Sequence, residues 1–520
     1  MNKTITILDT SLRDGAQSEG IAFSLQDKAN ITKALDRIGI AIIEAGNPSA
    51  NQKEADFFQS AQKIPLTHAQ LCAFGSTRRK DVRADEDAAC LALLTANTPW
   101  VSIFGKSCDY QVTDVLKTTL ENNLLMIEDT CAFLKSHGRR VIFDAEHFFD
   151  GYLENPDYAL ACVAAAVSGG ADVVCLCDTN GGSFPEDVEK TVQHVCAAFP
   201  RAEFGIHAHN DSDLAVAVTL SAVRAGATHI QGTFLGFGER CGNASLCSII
   251  PNLQLKLGYS CIPDESMKLL SSTAREIAEI ANISVRKNTP FIGASAFAHK
   301  AGMHTDAVLK VRRSFEHITP ESVGNHRRFL VSDIAGKAAL LERILKIFPD
   351  FDKNSPALGR IIQIIKEKEY RGYQFEGADS SMELIIRREI NGIEPFFDLI
   401  SYKVLDELPY DTGSATATIK LTVGGKLKIT AADGDGPVNA LDKSLREALT
   451  EFYPCLHEVH LIDYKVRVME PKNATAAQVR VLITSADAES EWTTIGVAND
   501  IIEASWIALV DSIAYKLLKS

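Results

Sequence analysis

The sequence predicts an α/β chain: a (β/α)8 (TIM) barrel, then helical linker subdomains, then a C-terminal α+β regulatory domain. Three observations predict it. Eight short β-like runs alternate with helical stretches through the first half of the chain. Six of those runs end in polar or metal-capable residues. The last 120 residues repeat a strand–strand–helix pattern.

The β-like runs fall at 4–8, 39–44, 69–73, 99–104, 140–146, 172–178, 203–209 and 228–233. Between them, 26–37 and 113–136 carry helical periodicity. No Gly-rich phosphate loop follows the first run, which argues against a doubly wound open sheet. The catalytic barrel is expected to span 1–262. Residues 266–282 read as a helix, and helices dominate to about 370 after a Gly/His-rich segment. A Gly-containing bend, RGYQFEGADSS, follows, and 263–400 are expected to form the helical linker subdomains. From 401 to 520, ATATIKLTV and KLKITAA lead through DGDGPVNA into a helix ending near Phe452. EVHLIDYKVRVM, AQVRVLIT and EWTTIGVAN then precede a helix over 501–518. This module lacks catalytic-type clusters and reads as a ligand-sensing or dimerising domain.

The 520 residues give a prior of about three or four domains. Asp plus Glu number 67 against 53 Lys plus Arg, for a net charge of −14, which argues against nucleic acid as the main partner. A local basic pocket for an acidic small molecule stays compatible with that balance. No apolar stretch is long enough to span a membrane, and the first residues lack a signal-peptide core. The twelve cysteines contain no CxxC pair and suit free thiols in a reducing cytoplasm.

GIHAHND carries the strongest chemical signal. His207 and His209 are i, i+2 on a strand, so both leave one face, which in a barrel is the interior at the active end. Paired imidazoles there suit a divalent metal better than a packed core. In DTSLRDGAQ, Asp9 and Asp14 are hard oxygen ligands or their supports, Arg13 can pair with a carboxylate, and Gln17 closes the motif. The segment GFGERCGNASL follows the eighth run, and Asn243 offers an amide oxygen. Asp, His, His and Asn with water in open positions favour Mg2+ or Mn2+ over a closed structural zinc.

These motifs, with FDAEHFFDGY, LCDTNGG, AFAHKAGMH, GYQFEGAD and NDIIEAS, resemble the citramalate, 2-isopropylmalate and homocitrate synthase family. The resemblance covers essentially the whole chain, and the combined motifs are more specific for the family than for the substrate. It implies an acyltransferase that condenses acetyl-CoA with a 2-oxo acid and then hydrolyses the thioester. Pyruvate is the expected acceptor, in isoleucine biosynthesis, with 2-oxoisovalerate or another 2-oxo acid as the alternative. By resemblance, Asp14, His207, His209 and Asn243 are the metal ligands, for Mg2+ or Mn2+ with Zn2+ or Co2+ as alternatives. Arg13 stabilises the oxo-acid oxygens, Thr179 binds the carboxylate, and Gln17 joins the substrate contacts. Glu146 and His304 are the candidate bases. The family further implies a cytoplasmic homodimer, with His304 serving the partner's barrel, and amino-acid feedback at the C-terminal domain.

The chain departs from the family pattern at several places. Asn47-Pro48 stands where Trp-Pro is expected, and GTFLGFGER replaces GTINGYGER. Phe315 replaces a tyrosine, Asp213 a glycine, and GMHTDAV replaces GIHVSAV. Asn47 and Leu235 lie near strand ends and are therefore expected at the acceptor pocket. A lyase or aldolase of the same barrel class is disfavoured by the three-part architecture. A non-catalytic amino-acid sensor is disfavoured by the intact metal-type residues.

Overall fold

The computed structural model describes residues 3–299, 302–329, 337–375, 377–406, 415–469 and 478–519. Lys300, Ala301 and Glu376, which fall in two of the quoted motifs, lie outside the described residues. The chain divides into two compact units, Met1–Phe297 with Glu316–Arg327, and Ala298–Phe315 with Arg328–Ser520.

In the first unit, β1 (Thr6–Asp9), β2 (Ile42–Glu44), β3 (Gln70–Ser76), β4 (Trp100–Lys106), β5 (Arg140–Glu146), β6 (Val173–Asp178), β7 (Glu203–Ala208) and β8 (His229–Gly232) close a parallel barrel. Closure is made where Thr6 pairs with His229 and Asp9 with Gly232. Each strand lies under or beside one of the eight expected runs. Parallel strands buried on both faces need near-continuous apolar sequence, and Val173–Asp178 is buried at every position. The helices start where local chemistry lets them. Ser24 and Asp27 form a reciprocal capping box on Leu25–Ile38, and Thr119 caps Leu120–Ser136. The expected helix over 113–136 is broken by Lys117 in a left-handed conformation, which leaves a short π-helical segment, Gln111–Leu116, before it.

Two apolar layers follow from period-2 alternation. One set, including Ile7, Ile43, Val101, Phe143 and Ile206, packs outward with the helices. Leu8, Ile42, Cys72, Trp100, Ile142, Val173 and Cys175 fill the barrel floor. Moving two residues toward the C-terminal end of a floor strand therefore reaches the upper interior, and there the side chains become polar: Glu44, Ser102, Asp144.

In the second unit, β9 (Ala298–His299) and β10 (Arg328–Phe329) form a short parallel pair. Helices Lys337–Ile347, Pro356–Tyr370 and Asp379–Asn391 follow. β11 (Asp398–Asp406), β12 (Ala415–Val423) and β13 (Lys426–Gly434) make one antiparallel sheet. β14 (His460–Val468), β15 (Val479–Ala486) and β16 (Glu491–Ala498) make the second. Each is followed by a helix, Pro437–Thr450 and Ile501–Lys519, so the repeat is three strands and a helix, twice. The sequence reading did not mark β11, whose residues are exposed or half-buried and carry little apolar contrast. No helix among the described residues is long and apolar enough to cross a membrane.

Asp36 ties the first helix to the start of β3. Its carboxylate accepts the backbone N–H groups of Thr67, His68 and Ala69 at 2.8–3.0 Å. Burial alone would raise its pKa, but the three donors outweigh burial and hold it below the ordinary value. Asp36→Asn is expected to cost about 1–3 kcal/mol in denaturant unfolding at neutral pH. A depressed folded-state pKa stabilises above the unfolded value of about 4 and loses that stability as pH falls through the folded one. The gap between parent and variant should therefore close only in acid, which unfolding curves across pH 2–7 will show.

Candidate active site

The site sits in the upper barrel of the first unit and is built from strand parity. His207 on β7 and His209 just past its end share one face, as their i, i+2 spacing requires, with Nε2 atoms 3.3 Å apart. Asp14, on the loop after β1, places Oδ2 3.6 Å from His207 Nε2 and 3.9 Å from His209 Nε2. Asn243 Nδ2 lies 3.4 Å from His207 Nε2. All four residues are buried. Burial, and then the neighbouring His209, push His207 down to about 3. Burial likewise lowers His209. Both rings are thus neutral near pH 7 and offer lone pairs. Burial opposes charge on Asp14, but the Arg13 guanidinium is the largest opposing effect, and the carboxyl is held below its usual range.

The electrostatics leave acceptors without donors. Asp14 Oδ1 and Asn243 Oδ1 are buried with no hydrogen-bond partner. An ionised carboxylate and two imidazole nitrogens, all within 4.8 Å of one another and with the Asn243 amide beside them, fit a divalent cation of the Mg2+ to Zn2+ range. A Cβ on Gly238 would lie 1.9 Å from Asn243 Oδ1, so only glycine lets the chain pass that close to this oxygen.

Asn243 is held by the loop after β8, which is zipped onto the end of β7. Asn243 bridges His209, and Ala244 N–H donates to the Ala208 carbonyl at 2.9 Å. Arg240 donates from Nε and Nη2 to both oxygens of Asp211 at 2.8 and 2.9 Å, and from Nη2 to the Thr179 carbonyl at 2.8 Å. One guanidinium thereby ties together the loops after β6, β7 and β8.

Arg13 is fixed from three sides. Its Nε donates to Glu44 Oε2 at 2.6 Å and its Nη1 to Asp14 Oδ2 at 2.7 Å. Its guanidinium lies 3.9 Å from the centre of the Phe74 ring, which stacks on Phe104. Thr10 donates its hydroxyl to the same Glu44 oxygen at 2.6 Å. The Thr179 hydroxyl accepts the His147 backbone N–H at 2.8 Å, so its own proton is free to donate elsewhere. That N–H is aimed by a left-handed backbone at His147, φ 58°. Glu146 is half-buried and ion-paired with Lys106.

These groups line a cavity of about 220 Å3. Arg13, Asp14, Gln17, Glu146, Thr179, His207 and His209 all face it, and Asn243 stands against His207 beside it. Asn47 and Leu235 are not among the residues that line it. Asn47 Oδ1 caps its own turn, accepting the N–H and the hydroxyl of Ser49 at 2.9 and 2.8 Å. Leu235 packs against the barrel's apolar core. His304 belongs to the second unit, where its exposed ring stacks on Phe315 with centroids 4.0 Å apart. The cavity also exposes Phe74, Phe104, Asp144 and Cys177, together with Gln231 at the end of the eighth run and Glu239 and Arg240 of GFGERCGNASL. Period 2 could have found two of them, since Asp144 and Cys177 each stand two residues before a chosen residue, Glu146 and Thr179.

A closed (β/α)8 barrel with convergent acid, imidazole and guanidinium groups at its C-terminal end defines a metal-capable barrel enzyme. Residues 4–279 match the sequence model of the HMGL-like family, 291–370 the homocitrate synthase post-HMGL domain-like model, and 376–517 the LeuA allosteric (dimerisation) domain. The chain is 51% identical to the (R)-citramalate synthase of Aquifex aeolicus over 525 aligned residues, covering 100% of this chain and 99% of that protein. It is 46% identical to the (R)-citramalate synthase of Geobacter sulfurreducens, covering 99% and 98%. It is 30% identical to a probable 2-isopropylmalate synthase of Methanopyrus kandleri, covering 98% of each. The chain belongs to the HMGL-like family, in the branch that holds the citramalate, 2-isopropylmalate and homocitrate synthases.

Arg240→Ala should free the loop that carries Asn243 without unfolding the barrel. Losing charge-assisted hydrogen bonds is expected to speed amide exchange at Gly242 and Asn243 about tenfold. Hydrogen-exchange mass spectrometry of the 236–246 peptide measures it.

Proposed function

We propose that this chain is a citramalate synthase, condensing acetyl-CoA with pyruvate and water to give (R)-citramalate and CoA. The observation that carries the chemistry is the buried set of Asp14, His207 and His209, with Asn243 against His207, beside Arg13 and Thr179. Full-length identity of 44–51% to relatives named (R)-citramalate synthase supports the acceptor, against 30% to a probable 2-isopropylmalate synthase. A cavity of about 220 Å3 walled by Phe74 and Phe104 suits a small 2-oxo acid.

A divalent cation held by Asp14, His207, His209 and Asn243, Mg2+ or Mn2+ by donor chemistry, would supply Lewis-acid charge to the acceptor's carboxylate and keto oxygens. Arg13, pre-positioned by Glu44 and Phe74, adds positive charge where the alkoxide develops. The Thr179 hydroxyl, its lone pair occupied by His147 N–H, donates to the acceptor carboxylate and fixes which face of the ketone is attacked. A base removes a proton from the acetyl methyl, and the carbanion forms the new bond to the keto carbon. Glu146 and His304 are the two candidates for that base, and Gln17 contributes to acceptor binding. Water then cleaves the thioester, releasing CoA thiol and the product carboxylate. Hydrolysis makes the condensation effectively irreversible, which suits an early step of isoleucine biosynthesis. We further propose a cytoplasmic homodimer built through the C-terminal domain, which binds an inhibitory amino acid, and a division into barrel (1–262), linker (263–400) and regulatory domain (401–520).

Release of CoA thiol, followed with a disulfide dye, tests the reading with Mg2+ or Mn2+, acetyl-CoA and a panel of 2-oxo acids. Release with pyruvate and not with 2-oxoisovalerate is expected, and the reverse preference would overturn the acceptor. Thr179→Val should lower kcat/KM for pyruvate about 10- to 100-fold, the cost of one hydrogen bond to a charged group. Glu146→Gln and His304→Gln, measured at saturating substrate, should separate the base, whose loss costs kcat about 100-fold or more.

A further inference from the structure

Gln231 lies on β8, fully buried, between the proposed metal centre and a carboxylate on β5. Its Nε2 donates to Asp144 Oδ1 at 2.7 Å. Its Oε1 faces His207 Nδ1 at 3.0 Å. Asp144 Oδ2 is taken by the Ser102 hydroxyl at 2.5 Å. From these contacts we infer that Gln231 is a positioning residue: held by Asp144, it fixes His207 as the Nδ1–H tautomer and keeps the Nε2 lone pair facing Asp14, His209 and Asn243. The inference rests on the reading of those residues as a cation site.

The polarity of the chain is what makes it work. An amide can turn either end toward a neighbour, so Gln231 alone specifies nothing. When ionised, Asp144 can only accept, through Oδ1 from Gln231 and through Oδ2 from Ser102. The Gln231 amino group must therefore face Asp144, and its carbonyl oxygen must face His207. A carbonyl oxygen only accepts, so the His207 proton resides on Nδ1. Without that acceptor, His207 could place its proton on Nε2 and donate to His209 Nε2, only 3.3 Å away. That alternative pairing would consume both lone pairs the centre needs.

Two measurements on the full-length protein test this. In metal-free protein labelled with 15N-histidine, the His207 resonance should show the proton on Nδ1. A proton on Nε2 would overturn the inference. Mn2+ titration by calorimetry should then give a 10- to 100-fold weaker affinity for Gln231→Met, which keeps the volume and removes both hydrogen bonds. The double variant Asp144→Asn with Gln231→Glu reverses the donor and acceptor between the two residues while leaving an acceptor for His207. It should recover affinity to within a few-fold of the parent, whereas Gln231→Glu alone, with two carboxyls in contact, should not. Unchanged affinity in Gln231→Met, or a lowered melting temperature with unchanged affinity, would overturn the inference and leave a packing role. So would failure of the double variant to recover. Should Gln231→Met fail to fold, the tautomer of the parent decides. A parent that binds no Mn2+ but shows the Nδ1 proton would sink the cation reading and leave the relay standing.

Discussion

The upper barrel collects more lone pairs than it has protons to meet them. Asp14, Glu44 and Asp144 are all buried there, with Arg13 serving the first two. Burial, followed by the Glu44 charge, lifts Asp144 to about 7. Two neutral imidazoles add lone pairs that point at each other and at Asp14. Such a cluster is costly to bury unless positive charge completes it. Much of the architecture around the barrel mouth can be understood as holding that unfavourable arrangement in place.

Rigidity comes from the strands and from a few side chains that bind loops together. Glu44 is anchored by β2 and holds both Thr10 and Arg13, so the loop after β1 cannot drift from the barrel wall. Arg240 performs the same task on the opposite side, joining Asp211 and the Thr179 carbonyl. Phe74 and Phe104 give the guanidinium of Arg13 an apolar flank, which limits hydration and strengthens its charge in the cavity. The site is thus preorganised from the floor upward, as acyl-transfer chemistry requires.

The second unit is organised differently. Its paired β-sheets each cover one helix-facing side with small and branched residues, such as Ala417, Ile419, Val481 and Ile483. Its linker helices form an apolar cluster around Ile344, Ile361 and Met382 that also takes in Ile495 of β16. The last sheet thus carries apolar residues on both faces, one toward its own helix and the other toward the linker helices.

The sequence by itself determined the barrel, the repeated C-terminal module and the shared face of the two histidines. Strand periodicity is local, and two histidines spaced i, i+2 share a face wherever the strand ends up. Glycines around Asn243 likewise declared a close approach before any partner was known. The tertiary structure alone decided what stands behind those residues. Asp144, Gln231 and Phe74 are on three different strands, and only barrel closure brings β8 round to meet β1 and sets β5 across from it. It also decided where the Asn47 and Leu235 side chains turn. Nearness to a strand end does not say whether a side chain turns to the cavity, to its own backbone or to the core. Those choices depend on contacts between residues far apart in the chain, and no local pattern encodes them.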